Sequence, residues 1–183
     1  LLCLYRAGIR VVEYTDRGPS ALFNFRKLVA LRDKKLPGML LGTGTIKNRT
    51  QAENYIQAGA DFLISPGFIP EVAAFCGDKG IVYIPGCMTP SEIIAAENAG
   101  LKMIKLFPGN ILGPAFMASI KDVFPDLLFM PTGGVDPTKE SMEKWFASGV
   151  CAVGMGSKLI SKEFMENKDY VSIGNPTRHL LEL

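Results

Sequence analysis

Two charged residues lie inside apolar runs of this sequence. Lys105 occurs within Met103–Pro108, and Glu13 occurs within Arg10–Thr15. Lysine and glutamate are almost never fully buried without a partner or a function. A desolvated lysine loses its charge more readily, and its neutral amine can attack a ketone to form an imine. A carboxylate can move the protons that this reaction requires. The two residues together therefore predict imine chemistry on a carbonyl substrate.

Both residues also have a purely structural interpretation. Lys105 could be a strand-end lysine that reaches water along its stem. Glu13 could be a buried carboxylate paired with Arg10 or Arg17. If Arg17 instead lies near Lys105, its charge would lower the pKa of the lysine further. The residue types alone leave these alternatives open.

Charge and histidine content exclude several classes of function. Lys and Arg number 20 against 18 for Asp and Glu, so no strong field attracts nucleic acid or anionic lipid. Any bound anion must therefore be held locally. The only histidine is His179, so this chain cannot assemble a histidine-bearing triad or a multi-histidine metal site. We expect no metal and no cofactor.

Cysteine spacing and hydropathy indicate the cellular setting. The four cysteines form no CxxC pair and are expected to be small core residues: Cys3, Cys76, Cys87 and Cys151. No apolar run approaches the length of a membrane span, and Leu1–Tyr5 is too short for a signal peptide. A reduced cytoplasmic setting, without a membrane partner, is the expectation.

Apolar runs of strand length alternate with helical patterns, as in parallel strands covered on both faces. Seven runs are present: Ile9–Thr15, Met39–Ile46, Asp61–Phe68, Gly80–Gly86, Leu101–Pro108, Leu127–Val135 and Cys151–Ser157. They predict an α/β fold, a (β/α)8 TIM barrel, with a doubly wound open sheet as the alternative. A barrel needs eight strands, and the chain opens on what looks like a helix end. We therefore expect one domain over 1–183 that lacks the first strand. The sequence does not indicate a structure for the tail at 168–183.

Short motifs mark where the helices begin and end. Thr89–Glu92 and Thr50–Glu53 have the spacing of a capping box, and Asp136-Pro137 resembles an N-cap followed by proline. A glycine that ends a helix in the left-handed conformation is expected just before four of the strands: Gly8, Gly59, Gly100 and Gly149.

Glycine-rich segments end the last two predicted strands, at Pro131–Val135 and Val153–Ser157. The last two strand-to-helix loops of such barrels commonly bind phosphate through backbone N–H groups. Adjacent glycines let the backbone approach an anion closely. Each segment alone could be an ordinary turn, but the two together predict a phosphate site.

Six motifs occur in one order along residues 5 to 160, and in that order the chain resembles the 2-dehydro-3-deoxy-6-phosphogluconate (KDPG) aldolases. Some members of that family are named 4-hydroxy-2-oxoglutarate (KHG) aldolase. The motifs are Val12–Arg17, Gly42–Thr45, Ile64–Gly67, Ile84–Gly86, Lys105–Pro108 and Pro131–Val135. The resemblance implies a class I aldolase of carbohydrate metabolism, in the Entner–Doudoroff route. Such an enzyme cleaves KDPG to pyruvate and glyceraldehyde 3-phosphate, uses no cofactor and is commonly a homotrimer.

The resemblance also implies a role for individual residues. Lys105 would form the Schiff base, and Glu13 would act as acid and base through a water. Arg17 and Thr45 would hold the keto-acid carboxylate, and Pro66 would line the pyruvate pocket. The remaining substrate-binding residues, with the phosphate on the last three, would be Thr132, Gly133, Gly134 and Ser157.

Two departures from the family pattern concern the distal end of the substrate. Gly109–Pro114 follows the lysine strand where many relatives have Pro-Ala, and Lys158 stands where some relatives carry tryptophan. The alternatives for the substrate are therefore KHG or the 6-phosphogalactonate epimer. A non-catalytic barrel that binds phosphate or a sugar acid is a separate alternative, which the presence of both Lys105 and Glu13 disfavours.

Overall fold

The computed structural model describes residues 1–183. Strands alternate with helices along the chain. The helices are α1 (Leu2–Ala7), α2 (Ala21–Lys35), α3 (Arg49–Gln57), α4 (Pro70–Lys79), α5 (Pro90–Asn98), α6 (Gly109–Ile120), α7 (Lys139–Ala147), α8 (Lys162–Glu166) and α9 (Val171–Leu181). The strands are β1 (Val11–Thr15), β2 (Leu40–Gly44), β3 (Phe62–Ile64), β4 (Val82–Ile84), β5 (Gly86–Cys87), β6 (Met103–Leu106) and β7 (Leu128–Pro131). The chain divides into two compact units: Arg10–Lys105, and Leu1–Ile9 with Leu106–Leu183.

The unit Arg10–Lys105 contains a parallel four-stranded sheet in the order β1-β2-β3-β4. Its register pairs Val11 with Leu40 and Thr15 with Gly44. Leu41 and Leu63 at the centre of the sheet are fully buried. Parallel strands covered on both faces have this burial, because a crossover helix follows each strand.

Aromatic packing holds β1 against its covering helices. The Phe25 ring on α2 lies 5.9 Å from the Tyr14 ring and 5.2 Å from the Tyr55 ring of α3. Phe25 is fully buried. This packing fixes the strand that carries Glu13, since Tyr14 is the next residue along it.

Helix boundaries follow the glycine motifs closely. Gly8, Gly59, Gly100 and Gly149 all have positive φ, from 81° to 116°, so the predicted helix ends are confirmed. The capping box at Thr89–Glu92 is also confirmed, with both of its reciprocal hydrogen bonds present.

Two predicted helix starts are wrong. Helix α3 is capped by Asn48, whose side chain accepts from Gln51 N–H, and Thr50 lies inside the helix. Helix α7 is capped by Thr138, which accepts from Ser141 N–H, and not by Asp136. In both cases a capping residue two positions away is in the extended conformation that lets its oxygen reach the first turn. Sequence spacing alone does not determine which of two neighbouring polar residues adopts that conformation.

The other unit comprises Leu1–Ile9 and Leu106–Leu183. Helices α1 and α9 pack together, and the tail at 168–183 is largely helical. The predicted strand at Cys151–Ser157 is present only as a single parallel bridge from Gly154 to Thr132. Glycines at 154 and 156 supply no side chains to pack, which weakens a strand. No helix is long and apolar enough to cross a membrane.

Candidate active site

Lys105 lies on β6 with only 6% of its surface exposed. The Lys105 backbone N–H donates to the Pro85 carbonyl at 2.9 Å, a hydrogen bond between β6 and the segment that enters β5. Burial lowers its pKa below the ordinary lysine value of 10.5. Glu13 opposes that shift, and the Arg17 charge adds to it. The prediction that Arg17 lowers the pKa of Lys105 is confirmed. At neutral pH a larger fraction of Lys105 is therefore in the neutral amine form than in a solvated lysine.

Glu13 is paired with Lys105. Its Oε1 lies 3.9 Å from Lys105 Nζ, and its side chain is 24% exposed. The two charged residues that stood out in separate apolar runs are therefore neighbours. At this distance the carboxylate can exchange a proton with the amine through one water. Glu13 also keeps contact with solvent, as a group that must be reprotonated requires.

Gly44 makes room for the Glu13 carboxylate. A Cβ placed on Gly44 would lie 1.5 Å from Glu13 Oε1 and 2.5 Å from its Cδ. Gly44 ends β2, on the strand next to Glu13. The sequence interpretation missed this role. The available signal was a glycine at the end of the strand adjacent to the one that carries the carboxylate.

The turn after β1 is anchored at Asp16. Tyr55 Oη donates to Asp16 Oδ1 at 2.8 Å, Gln51 Nε2 donates to Oδ2 at 3.3 Å, and Asp16 N–H donates to the Gly44 carbonyl at 2.9 Å. Burial, followed by the Asp16 hydrogen bond, raises the pKa of Tyr55, so its hydroxyl remains a donor at neutral pH. These contacts fix the backbone just after β1, from which the exposed side chain of Arg17 extends.

Thr45 adopts a conformation that is rare for its type. Its φ is 67°, in the left-handed region, which costs a β-branched residue about 1–3 kcal/mol. The residue follows Gly44 and is half-buried. Strain of this kind often marks ligand-binding positions, so the conformation supports Thr45 as a candidate site residue.

Pro66 lies in the loop that follows β3 and is half-buried. Its carbonyl approaches β5 closely, because a Cβ on Gly86 would lie 2.3 Å from Pro66 O. Gly86 N–H donates to the neighbouring Ser65 carbonyl at 2.9 Å. The unit Arg10–Lys105 therefore contains all five residues expected at the keto-acid end: Glu13, Arg17, Thr45, Pro66 and Lys105.

The residues expected at the phosphate end all lie in the other unit. Gly133 and Gly134 have φ of 93° and 74°, a conformation that favours glycine. Thr132 Oγ1 is buried and has no hydrogen-bond partner. Buried polar atoms are normally satisfied, so Thr132 is an exception within this unit.

Ser157 is exposed in a turn, and the residue after it adds a cation that the sequence interpretation did not use. Lys158 Nζ donates to the Gly134 carbonyl at 3.4 Å and is also ion-paired with Asp136. Gly134 and Asp136 line a surface cavity of about 360 Å³. Lys158 and Asp136 therefore form an ion pair beside the glycine segment.

Metal-ligating side chains are not grouped anywhere in the chain. No group of three or more His, Cys, Asp or Glu side chains could hold a metal ion. The four cysteines are all free, and Cys76 and Cys87 are buried. Burial raises the pKa of Cys87 to about 12, so this thiol is protonated at neutral pH and packs as a core residue.

A family model and two relatives that match this chain are named as aldolases. The family model described as KDPG and KHG aldolase matches residues 2–175. The KHG/KDPG aldolase of Escherichia coli strain K12 is 32% identical over 98% of this chain and 82% of its own length. The 2-dehydro-3-deoxy-6-phosphogalactonate aldolase of the same strain is 31% identical over 84% of this chain and 73% of its own length.

A solved structure adds a chemical observation about a relative. A KDPG aldolase from Legionella pneumophila, with pyruvate captured as a covalent carbinolamine intermediate, superposes with a TM-score of 0.89. It is 30% identical and covers 98% of this chain and 84% of its own chain. With the parallel strands and intervening helices seen here, the prediction of an α/β fold of the (β/α)8-barrel class is confirmed.

Proposed function

This chain belongs to the KDPG and KHG aldolase family, and we propose that Lys105 is the amine with which it forms a Schiff base. The chain is a class I aldolase, an aldehyde-lyase acting on small molecules, as the sequence predicted. The observation that carries the assignment to Lys105 is its burial beside the Glu13 carboxylate, with a lowered pKa.

The proposed reaction begins with the neutral amine of Lys105 attacking the C2 carbonyl of a 2-keto acid. A C–N bond forms, the former carbonyl oxygen takes up protons and leaves as water, and the product is the protonated imine. Cleavage of the C3–C4 bond sends its electron pair toward the positively charged imine nitrogen and gives a neutral enamine, while the C4 hydroxyl loses its proton and the C4 fragment departs as an aldehyde. Protonation at C3 and hydrolysis then release pyruvate. Glu13, 3.9 Å from Lys105 Nζ, moves these protons through water.

The keto-acid carboxylate is assigned to Arg17 and Thr45. Arg17 can bind a carboxylate with two parallel hydrogen bonds, and its charge already acts on Lys105. The strained Thr45 offers its hydroxyl and backbone at the end of β2. Pro66 forms a wall of the pyruvate pocket.

The substrate phosphate is assigned to Gly133, Gly134 and Ser157, with Thr132 Oγ1 as a further donor to the substrate. Support comes from the two positive φ values and from the unsatisfied Thr132 hydroxyl. Lys158 lies beside this segment and donates to the Gly134 carbonyl, and a phosphate would have to compete with Asp136 for its ammonium.

KDPG is the proposed substrate, and KHG and the 6-phosphogalactonate epimer are the alternatives. Relatives of similar sequence identity are named for different substrates, so overall identity does not select among the three. The residues that contact the substrate beyond its pyruvate end must do so. Comparison of kcat/KM for KDPG, its galactonate epimer and KHG separates the three. A preference for KHG, which carries no phosphate, would contradict the assignment of Gly133, Gly134 and Ser157 as phosphate ligands.

We expect pyruvate and borohydride to label the protein irreversibly at one position. Reduction of the imine fixes the three-carbon acid on the lysine nitrogen, and peptide mapping by mass spectrometry should place it on Lys105. Ligand-dependent thermal stabilisation without any adduct would instead favour a non-catalytic binding barrel. An adduct on another lysine would contradict the assignment.

The pH dependence of adduct formation should respond in opposite directions to two substitutions. The rate rises as Lys105 loses its proton, with a midpoint below the ordinary lysine value because burial lowers the pKa. Arg17→Gln removes a charge that lowers this pKa, so the midpoint should move to higher pH. Glu13→Gln removes a charge that raises it, so the midpoint should move to lower pH. Rates measured across pH, each normalised to its own plateau, test both directions; shifts of the same sign would contradict the arrangement.

We propose a cytoplasmic homotrimer, on the basis of the family resemblance. Light scattering on the purified protein measures the assembly directly.

A further inference from the structure

Tyr83, on β4, donates and accepts hydrogen bonds within the loop that carries Pro66. Its ring is 3% exposed, and its Oη lies 2.5 Å from the Oγ of Ser65, which is fully buried. Ser65 Oγ also lies 2.5 Å from the Gly67 carbonyl, to which it donates. Ile69 N–H donates to Tyr83 Oη at 3.3 Å. Tyr83 Oη also donates to the Gly67 carbonyl at 3.3 Å, so the phenol contacts three positions of a single short loop: Ser65, Gly67 and Ile69.

Both hydroxyls of this group reach the Gly67 carbonyl. Ser65 Oγ donates to it at 2.5 Å, Tyr83 Oη lies within donating distance of it at 3.3 Å and of Ser65 Oγ at 2.5 Å, and Oη also accepts from Ile69 N–H. Burial raises the pKa of Tyr83 to about 12, so the hydroxyl keeps its proton at neutral pH. Satisfied buried polar groups of this kind fix a unique local geometry.

Backbone packing holds the same loop from another direction. Gly86 N–H donates to the Ser65 carbonyl at 2.9 Å, and a Cβ at Gly86 would lie 2.3 Å from the Pro66 oxygen. The residue before Gly86, Pro85, accepts from Lys105 N–H at 2.9 Å. Pro66 is therefore one strand away from the strand of Lys105, and it is held by Tyr83 and Ser65 through hydrogen bonds and against Gly86 by contact.

We propose that Tyr83 and Ser65 are positioning residues that hold Pro66 at a fixed distance from the reacting keto acid, and so restrict the donor to pyruvate over longer 2-keto acids. The proposal rests on the proposed function, in which Pro66 lines the pyruvate pocket. A rigid wall excludes an added methylene, whereas a mobile wall accommodates it. One methylene in a fitted pocket changes kcat/KM by about 10–200-fold.

The test compares pyruvate with 2-oxobutanoate, which is longer by one methylene, in the wild-type protein and in Tyr83→Phe. Second-order rate constants for borohydride-trapped adduct formation give a discrimination ratio for each protein. We expect Tyr83→Phe to lower that ratio by at least about 5-fold, mainly through faster reaction of 2-oxobutanoate relative to pyruvate. Ser65→Ala should change the ratio in the same direction, because it removes the same connection to Gly67.

A matched control separates this role from a general loss of stability. Ser148→Ala removes another buried hydroxyl, which donates to the Trp145 carbonyl at 2.6 Å in the other unit. It should lower Tm by an amount similar to Tyr83→Phe and leave the ratio unchanged. The ratio is informative because a merely destabilised enzyme loses both reactions equally.

The possible results are distinguishable. A folded Tyr83→Phe protein with an unchanged ratio overturns the positioning role and leaves the proposed function intact. Absence of any adduct in the wild-type protein overturns the proposed function and this inference with it. If Tyr83→Phe does not fold, the ratio measured in Ser65→Ala decides the question on the same criterion.

Discussion

Lys105→Met should abolish aldol cleavage while changing the stability of the folded protein little. Without the amine no imine can form, and loss of a covalent nucleophile lowers kcat/KM by about 10⁴-fold or more. Methionine has a similar volume and no charge to bury. Since burial lowers the pKa of Lys105, the charged form is disfavoured in the folded protein, and its removal relieves that cost. This gain is offset because Glu13, which is only 24% exposed, loses the partner that lies 3.9 Å away, so we expect the free energy of unfolding to change little.

Lys102→Met is the matched control for this substitution. Lys102 precedes β6 and is exposed, so the same change at that position should leave both kcat/KM and the borohydride adduct intact. Denaturant unfolding of both variants measures the stability difference. Substantial cleavage by Lys105→Met, or an adduct at another lysine, would show that Lys105 is not the nucleophile.

Gly44→Ala should lower turnover by about 10²–10³-fold without altering Lys105 itself. The added methyl would lie 1.5 Å from Glu13 Oε1, so the carboxylate must move away from the position where it faces the amine. General acid–base catalysis contributes about 10²–10⁴-fold, and most of that contribution should be lost. Alanine is acceptable to the backbone here, because Gly44 is in a strand and is not among the glycines with positive φ. Steady-state kinetics with the preferred substrate measures the loss.

Gly44→Ala is expected to lower turnover only by displacing the Glu13 carboxylate, and a double-mutant cycle tests this. In a Glu13→Ala background there is no carboxylate to displace, so Gly44→Ala should reduce turnover little further. Gly77→Ala is the control for the substitution type, since nothing lies within 4 Å of a Cβ at Gly77 and its turnover should match the wild type. If the two losses multiply in the double mutant, Gly44 acts by some other route.

The order of strands and helices could be predicted from the sequence because local patterns carry it. Apolar runs of strand length, the capping box at Thr89–Glu92 and the helix-ending glycines depend on contacts within a few residues. The strand predicted at Cys151–Ser157 is reduced to one parallel bridge, because its glycines supply no side chains to pack. The cap predicted at Thr50 is wrong, because Asn48 adopts the extended conformation and caps the helix instead.

The chemistry at Lys105 was also predicted from residue types, together with the family motifs. A lysine and a glutamate in apolar strands, with a single histidine in the chain, direct attention to imine chemistry before any contact is known. That inference depends on composition and on the cost of burying charge. It does not depend on where the two residues lie in space.

Only the tertiary structure decided which groups act together. Glu13 and Lys105 are 92 positions apart in the numbering, on strands of two different sheets, and only the folded chain places Glu13 Oε1 3.9 Å from Lys105 Nζ. The same long-range packing makes Gly44 the residue that leaves space for the carboxylate, and makes Tyr83 the residue that holds the Pro66 loop. Sequence patterns predict the local conformation of a segment. Steric exclusion and hydrogen bonding between distant segments exist only once the chain has folded.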